Sequence, residues 1–321
     1  MTPSRAAASA APAVPPLFAG LCDDAALFPP GNAPVAAAVP AHRVHRSAWY
    51  AALVGPFLVG ADRIAEVGGT AAADGPLDVV LVVRAGPVAL APALDALAAW
   101  PSLRLAGVEL GPDAGGTPAE AAARGIAVLE RTLPSGTAGV LEIRRGPGLA
   151  AALDTVAASP YRAKYRTGGL ESAAFPPVAE LAAFLTGCAE RGLPFKCTAG
   201  LHHAVRHTDP ATGFTHHGFL NILAATVAAT PAGDPTATAA AGPQGDPAQD
   251  PISRAVALLE STSGRELAAA VAGVTDRGLF TAYGTCGIDE PLDDLAALGL
   301  LARPAGAPPL PSLPSPILDG S

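Results

Sequence analysis

Lysine is almost missing from this chain. Only Lys164 and Lys196 occur in 321 residues, and the other 18 of the 20 basic side chains are arginines. Both fall in one stretch, Tyr161 to His203, which reads YRAKYRTGG, then a helical run, then PFKCTAGLHH. A guanidinium stays charged in a protein, whereas burial or a neighbouring cation lowers the pKa of an ammonium until it becomes a nucleophile. Two retained amines therefore mark a place where arginine does not serve.

Other scarcities exclude whole classes of function. Aromatic residues make up 5% of the chain, and its long alanine-rich runs lack the Leu, Ile and Phe of a bilayer span, so no transmembrane helix and no membrane partner are expected. Positive charge is short as well. A net charge of −8 and a pI near 5.3 argue against nucleic acid as a partner, because a basic face supplies most of that affinity. Cysteine is sparse: Cys22, Cys188, Cys197 and Cys286 are widely spaced with no CxxC, which fits neither a zinc knuckle nor a dense disulfide framework. A reducing cytoplasm is the simplest home. The opening MTPSRAAASAAPAVPP is interrupted by prolines where a signal peptide carries a continuous apolar core, and it reads as a disordered arm.

What is present is a regular alternation of strand-like and helix-like segments. Leu77 to Val83 (LDVVLVV) is a continuous β-branched run bounded by Pro76 and Gly86, the pattern of a strand buried on both faces. Strand-like LRLAGVEL, GVLEIR, YRAKYR, LPFKCTAG and LFTAYGT follow it in order, each with a helix-like segment behind it. A first strand in LFAGLCDDAALF and a second in GPFLV complete eight units. The helix after the first strand is expected from Val35 to Leu53. Strands separated by helices must pair in parallel, since a parallel crossover needs a dozen or more residues. The expected fold is an α/β (β/α)₈ TIM barrel over residues 17–303, with a disordered arm at 1–16, a disordered tail at 304–321 and a long loop near 230–250. An open doubly wound sheet is the alternative, disfavoured because no GxGxxG turn follows the first strand.

In such a barrel the carboxyl ends of the strands converge on one face. That face is expected to collect Asn32, Arg84, Glu109, Glu142, Lys164, Arg166, Lys196, His202, His203 and Thr285. Lys164 and Lys196 end adjacent strands at similar depth, so each ammonium disfavours protonation of the other. Glu109 or Glu142 would then move protons. Asn221 opens a helix, and Thr167, Gly168 and Gly169 turn after a strand, so both places suit a phosphate or carboxylate; Thr198 and Gly200 belong to the same rim. TPAE at 117 to 120 reads as a helix cap, and His42, Arg43, His45 and Arg46 read as a solvated helix face. Five of the seven histidines crowd into His202, His203, His207, His216 and His217. Their expected role is substrate binding or acid–base work by His202 or His203, since HExxH and HxH spacings are missing.

KYRTGG at 164 to 169 and KCTAGL at 196 to 201 resemble the two lysine motifs of the deoxyribose-phosphate aldolase family. In that family a Lys-x-Ser-Thr-Gly motif ends strand six and supplies a Schiff-base lysine, and a second lysine motif ends strand seven and lowers its partner's pKa. The resemblance implies a class I TIM-barrel lyase with Lys164 as nucleophile and Lys196 as activator. It also implies that Gly168, Gly169 and Gly200 lie near the substrate's anionic end. Glu109 falls where the family has an acidic proton relay, there an Asp. Arg166 stands where the motif has a small hydroxyl residue, and Leu201 where it has a second glycine.

The function expected is thus an aldolase-like lyase that forms a Schiff base between Lys164 and a small anionic carbonyl compound, needing no cofactor and no metal. Two alternatives stay open. One uses Lys164, Arg166 and Lys196 as fixed charges for a phosphate or carboxylate, as in a phosphoribosyltransferase or decarboxylase. The other is a metalloenzyme built on the histidines with Glu109 or Glu142. The expected partner is the small-molecule substrate, with homo-oligomer formation left open.

Overall fold

Eight parallel strands close into a barrel in the computed structural model, which describes residues 14–230, 250–308 and 310. The strands are β1 (Cys22–Asp24), β2 (Val54–Gly60), β3 (Leu77–Val83), β4 (Leu103–Leu110), β5 (Ala138–Glu142), β6 (Arg162–Arg166), β7 (Phe195–Thr198) and β8 (Phe280–Thr285). Each pairs with its neighbours in sequence, and β1 closes against β8. This is the expected (β/α)₈ barrel rather than an open sheet. The expected arm and long loop fall almost wholly outside the described residues, and most of the expected tail does too. Val14, within the expected arm, is buried against the core.

The helices behind the strands are α1 (Val35–Ser47), α2 (Ile64–Ala71), α3 (Leu90–Ala98), α4 (Pro118–Thr132), α5 (Leu149–Ala157), α6 (Val178–Glu190) and α7 (Phe219–Ala229). Then α8 (Pro251–Glu260) and α9 (Gly264–Ala270) precede β8, and α10 (Asp289–Ala297) follows it. Thr117 caps α4 in a reciprocal box: its hydroxyl accepts from Glu120 N–H, and the Glu120 carboxylate accepts from Thr117 N–H at 2.8 Å. The first helix ends at Ser47, short of Leu53, because Ala48 turns extended and a separate 3₁₀ turn spans Ala51–Leu53. The expected solvated face is a mixture. His42 and His45 are buried, His42 Nδ1 lying 2.9 Å from Asp24 Oδ2 and His45 Nδ1 2.9 Å from the Tyr50 hydroxyl. Ser172–Glu190 is long and apolar enough by composition to cross a membrane, but Leu181, Phe184, Leu185 and Cys188 are fully buried against the barrel.

Alternation along each strand sorts the two layers. Ala163 and Tyr165 of β6, Phe195 and Cys197 of β7, and Val108 and Leu110 of β4 face the helices in the main core. The intervening positions face the barrel axis. An aromatic series holds the lysine-bearing strands from outside: Tyr165 stacks on Phe184 at 4.2 Å, Phe184 meets Phe195 edge-on at 5.2 Å, and Phe195 stacks on Phe280 at 5.5 Å. Inside, the axis is divided. Ala25, Leu58, Val80 and Val82 form a small apolar cluster on the β1–β3 side, while the ionisable residues of β4–β7 face the remaining space.

Phe195 is fully buried at the centre of that aromatic series. Its truncation in Phe195→Ala is expected to cost about 3–5 kcal/mol in urea denaturation, as for other buried aromatics.

Candidate functional site

Strand register decides which side chains can meet. Lys164 of β6 is paired directly with Lys196 of β7 and with Glu142 of β5, and Glu109 of β4 lies one strand further round. All four therefore stand at neighbouring levels on the inward face. Lys164 Nζ donates to Glu109 Oε2 at 2.6 Å and lies 3.0 Å from Glu142 Oε2. Lys196 Nζ donates to the other Glu109 oxygen and to Asp23 Oδ2. Arg166 Nε donates to Glu142 Oε1 at 3.0 Å. Three cations and three carboxylates thus form one continuous chain of contacts from Arg166 to Asp23. Sequence reasoning missed Asp23. It is the middle residue of β1, and one of two adjacent acids in an apolar segment, so strand alternation had to turn one of them inward.

The barrel mouth opens into a cavity of about 420 Å³, within the usual size for small-molecule sites. Lys164, Glu109, Arg166, Arg84, Thr198, Gly169, Gly200 and His202 all lie on its wall. Lys196 does not; it sits behind Glu109 and is buried from the cavity. Phe28, Leu58 and Val82 supply an apolar side. Arg84 lies over the Phe28 ring, 5.3 Å from its centroid, and is exposed. Above the mouth, the chain between β7 and α7 folds into a two-stranded hairpin, His207–Thr208 against Thr215–His216. The hairpin brings Asp209, Thr212, Phe214 and His216 to the wall, and His216 packs on Phe175 at 4.5 Å.

Several expected site residues do other work. Thr167 is buried and donates to the carbonyl of Ala199 at 2.7 Å, tying the loop after β6 to the loop after β7. Gly168 serves the same junction: a Cβ there would come within 2.8 Å of Gly200 Cα, so the two loops meet backbone to backbone. Asn221 is buried inside α7, where its amide donates to the carbonyls of Leu258 and Ser261, both at 2.7 Å, and accepts from Arg206 N–H. It clamps α7 to α8 and has no free face for an anion. Thr285 is buried and donates to the Gly287 carbonyl at 2.8 Å, closing its own turn. Asn32 is exposed in a left-handed turn, φ 42°, off the cavity wall. His203 points away from its neighbour His202, on the outer side of the loop, where it pairs with Asp294 at 3.2 Å and packs on His207. His217 is buried and donates to the Pro176 carbonyl. His203, His207 and His216 keep ring contact at 4.7 and 5.2 Å, His202 faces the cavity and His217 is buried; no group of three or more metal-ligating side chains is found among the described residues.

Electrostatics follow from burial and pairing. Burial alone would raise the Glu109 carboxyl, but Lys164 and Lys196 outweigh it and hold it down at about 2. Burial disfavours both ammoniums, yet Glu109 with Glu142 raises Lys164, and Asp23 with Glu109 raises Lys196. This reverses the expectation that the two lysines depress each other: the carboxylates between them dominate. Burial raises Asp23 against the pull of Lys196, so Asp23 is the carboxylate of the chain with the greatest hold on a proton. His202 Nδ1 lies 3.0 Å from Glu290 Oε2; burial opposes its charge, but Cys286 and Glu290 push the imidazole up to about 10.

Two outcomes are expected. A folded carboxyl held at about 2 contributes stability that is present above its ordinary value of 4.5 and is lost as pH falls from there. An imidazole raised to about 10 contributes stability that is full below 6.5 and is lost as pH rises toward 10. Urea denaturation across pH should show both limbs, and His202→Gln should flatten the decline between about pH 6.5 and 8, before thiols and phenols titrate in the unfolded chain. Second, Gly55 gives way to Asp23, since a Cβ there would collide with Asp23 Oδ1. Gly55→Ala is expected to displace Asp23 from Lys196 and to cost about 1–3 kcal/mol by overpacking, read from the urea midpoint.

Compared with known proteins, the chain matches no family model, no curated protein and no solved structure, so its chemistry is argued from this geometry.

Proposed function

We propose that the protein is a carbon–carbon lyase of class I aldolase type, which forms a Schiff base between Lys164 and a small phosphorylated or carboxylated carbonyl compound. The observation that carries this reading is that Lys164 brings an amine to the cavity wall while its partner carboxylate, Glu109, is shared with the second, hidden lysine. A resting ammonium must lose a proton before it attacks. Glu109 is in hydrogen-bond contact to take it, and Lys196 connects Glu109 to Asp23, where burial favours the protonated carboxyl. Moving the proton from Lys164 to Asp23 leaves the cluster's net charge unchanged, so no buried charge is created. The amine nitrogen then bonds to the carbonyl carbon, and the oxygen leaves as water. The imine, taking back the cluster's proton, draws the electron pair of the breaking carbon–carbon bond as an enamine, while the hydroxyl of the departing fragment gives its proton to Glu109 and becomes the released carbonyl. Arg84 and Arg166 line the same cavity and suit the substrate's anionic end.

One observation favours a second reading. Two carboxylates hold Lys164 as an ammonium, which also suits a fixed charge in a phosphoribosyltransferase- or decarboxylase-like enzyme.

Borohydride reduction in the presence of aldehydes and keto acids, followed by peptide mass analysis, is expected to add the reduced substrate at Lys164. Unmodified protein across a broad panel overturns the lyase reading. Lys164→Arg should abolish turnover of a trapped substrate, whereas under the second reading it retains part of the activity.

A further inference from the structure

The cavity wall carries a second nucleophile that the lysine chemistry does not use. Cys286 follows β8, and His202 lies in the loop after β7. The sulfur sits 3.8 Å from both ring nitrogens of His202. Glu290, in the first turn of α10, meets Nδ1 of the same ring at 3.0 Å. A thiol, an imidazole and a carboxylate thus stand in the order nucleophile, proton partner, orienting group. Cys286 and His202 both face the cavity, whereas Cys22, Cys188 and Cys197 are fully buried in the main core. Gly31 lies beside Cys286 with no room for a side chain between them, since a Cβ at that glycine would fall 2.7 Å from Cys286 Cβ. His202 is the positive member of the pair, for the reasons given above.

We propose that Cys286 is a nucleophile that captures the aldehyde component of the reaction as a thiohemiacetal, with His202 as its proton partner and Glu290 as the positioning residue. The substrate class rests on the lyase reading; the reactivity of the thiol does not. A lyase handles two carbonyl components, and this cavity offers two nucleophiles, Lys164 from β6 and Cys286 after β8. In the capture step the sulfur bonds to the aldehyde carbon, and His202, charged at the start, gives a proton to the carbonyl oxygen as the π pair moves onto it and takes the thiol proton in its place. No oxidant or reductant is needed, and reversal releases the aldehyde unchanged. Arg84 lies on the same wall to hold an anionic group on it.

The test uses the full-length protein, iodoacetamide and isotope-labelled glyoxylate. Peptide mass analysis is expected to show Cys286 alkylated about tenfold faster than glutathione under the same conditions, and His202→Gln to lose most of that excess. Alkylation of Cys286 no faster than glutathione, or at the same rate in folded His202→Gln, overturns the proposal. Carbon NMR with labelled glyoxylate should give a tetrahedral thiohemiacetal signal that disappears in Cys286→Ser. An imine at Lys164 gives a trigonal carbon and is fixed by borohydride, whereas the thiohemiacetal is not. Trapping at Lys164 with no thiohemiacetal signal overturns this proposal and leaves the lyase reading standing. A thiohemiacetal signal with no trapping at Lys164 by any member of the aldehyde and keto-acid panel supports Cys286 and removes the lyase reading.

Discussion

A single carboxylate, Glu109, lies between two buried ammonium groups, and the interior of the barrel depends on it. Taking an ion out of water costs several kcal/mol even after relaxation, so a buried lysine persists only where a counter-charge meets it. Glu109 meets two, one with each oxygen. That sharing fixes the levels of β4, β6 and β7 relative to one another, because a one-residue slip of any of them would turn its charged side chain into the helix layer. Asp23 and Glu142 complete the balance at the two ends. The site is therefore a condition for closing the barrel in this register, and its chemistry follows from the same contacts.

The fold was largely legible because it is written in periodicity. Eight strand-like runs, each followed by a helix-like one, leave few topologies other than a closed parallel barrel. The rarity of lysine likewise pointed to the right two strands, and the register places Lys164 beside Lys196. Glu109 and Glu142 were expected on the same face as proton carriers; what the sequence did not show was that they pair with the amines directly. Two adjacent ammoniums suggested mutual suppression, whereas three carboxylates from β1, β4 and β5 reverse it. Asp23 was overlooked although the Asp23–Asp24 pair interrupts an otherwise apolar run, because the sequence does not say which of two adjacent acids alternation turns toward the lysines.

Direction of side chains explains the remaining differences. A strand-end position says that a residue is near the mouth, not that it points there. Thr285 turns back on its own loop, Thr167 bonds across to the loop after β7, and His202 and His203 diverge as successive residues of an extended segment do. Asn221 opens a helix, but that helix end is covered by α8, so its amide answers backbone carbonyls rather than an anion. The histidine crowding in sequence becomes in space two cavity residues, His202 and His216, a series of ring contacts from His203 through His207 to His216, and the buried donor His217.

The division of the barrel axis has a consequence for stereochemistry. Ala25, Leu58 and Val82 occupy one side of the cavity, while Lys164, Glu109 and Arg166 occupy the other. A planar group lodged between them meets hydrocarbon on one face and the charges of β4 and β6 on the opposite face. The two faces of a trigonal carbon held there are no longer equivalent. Handedness in any product would thus be set by the partition of the interior itself, without a dedicated residue to impose it.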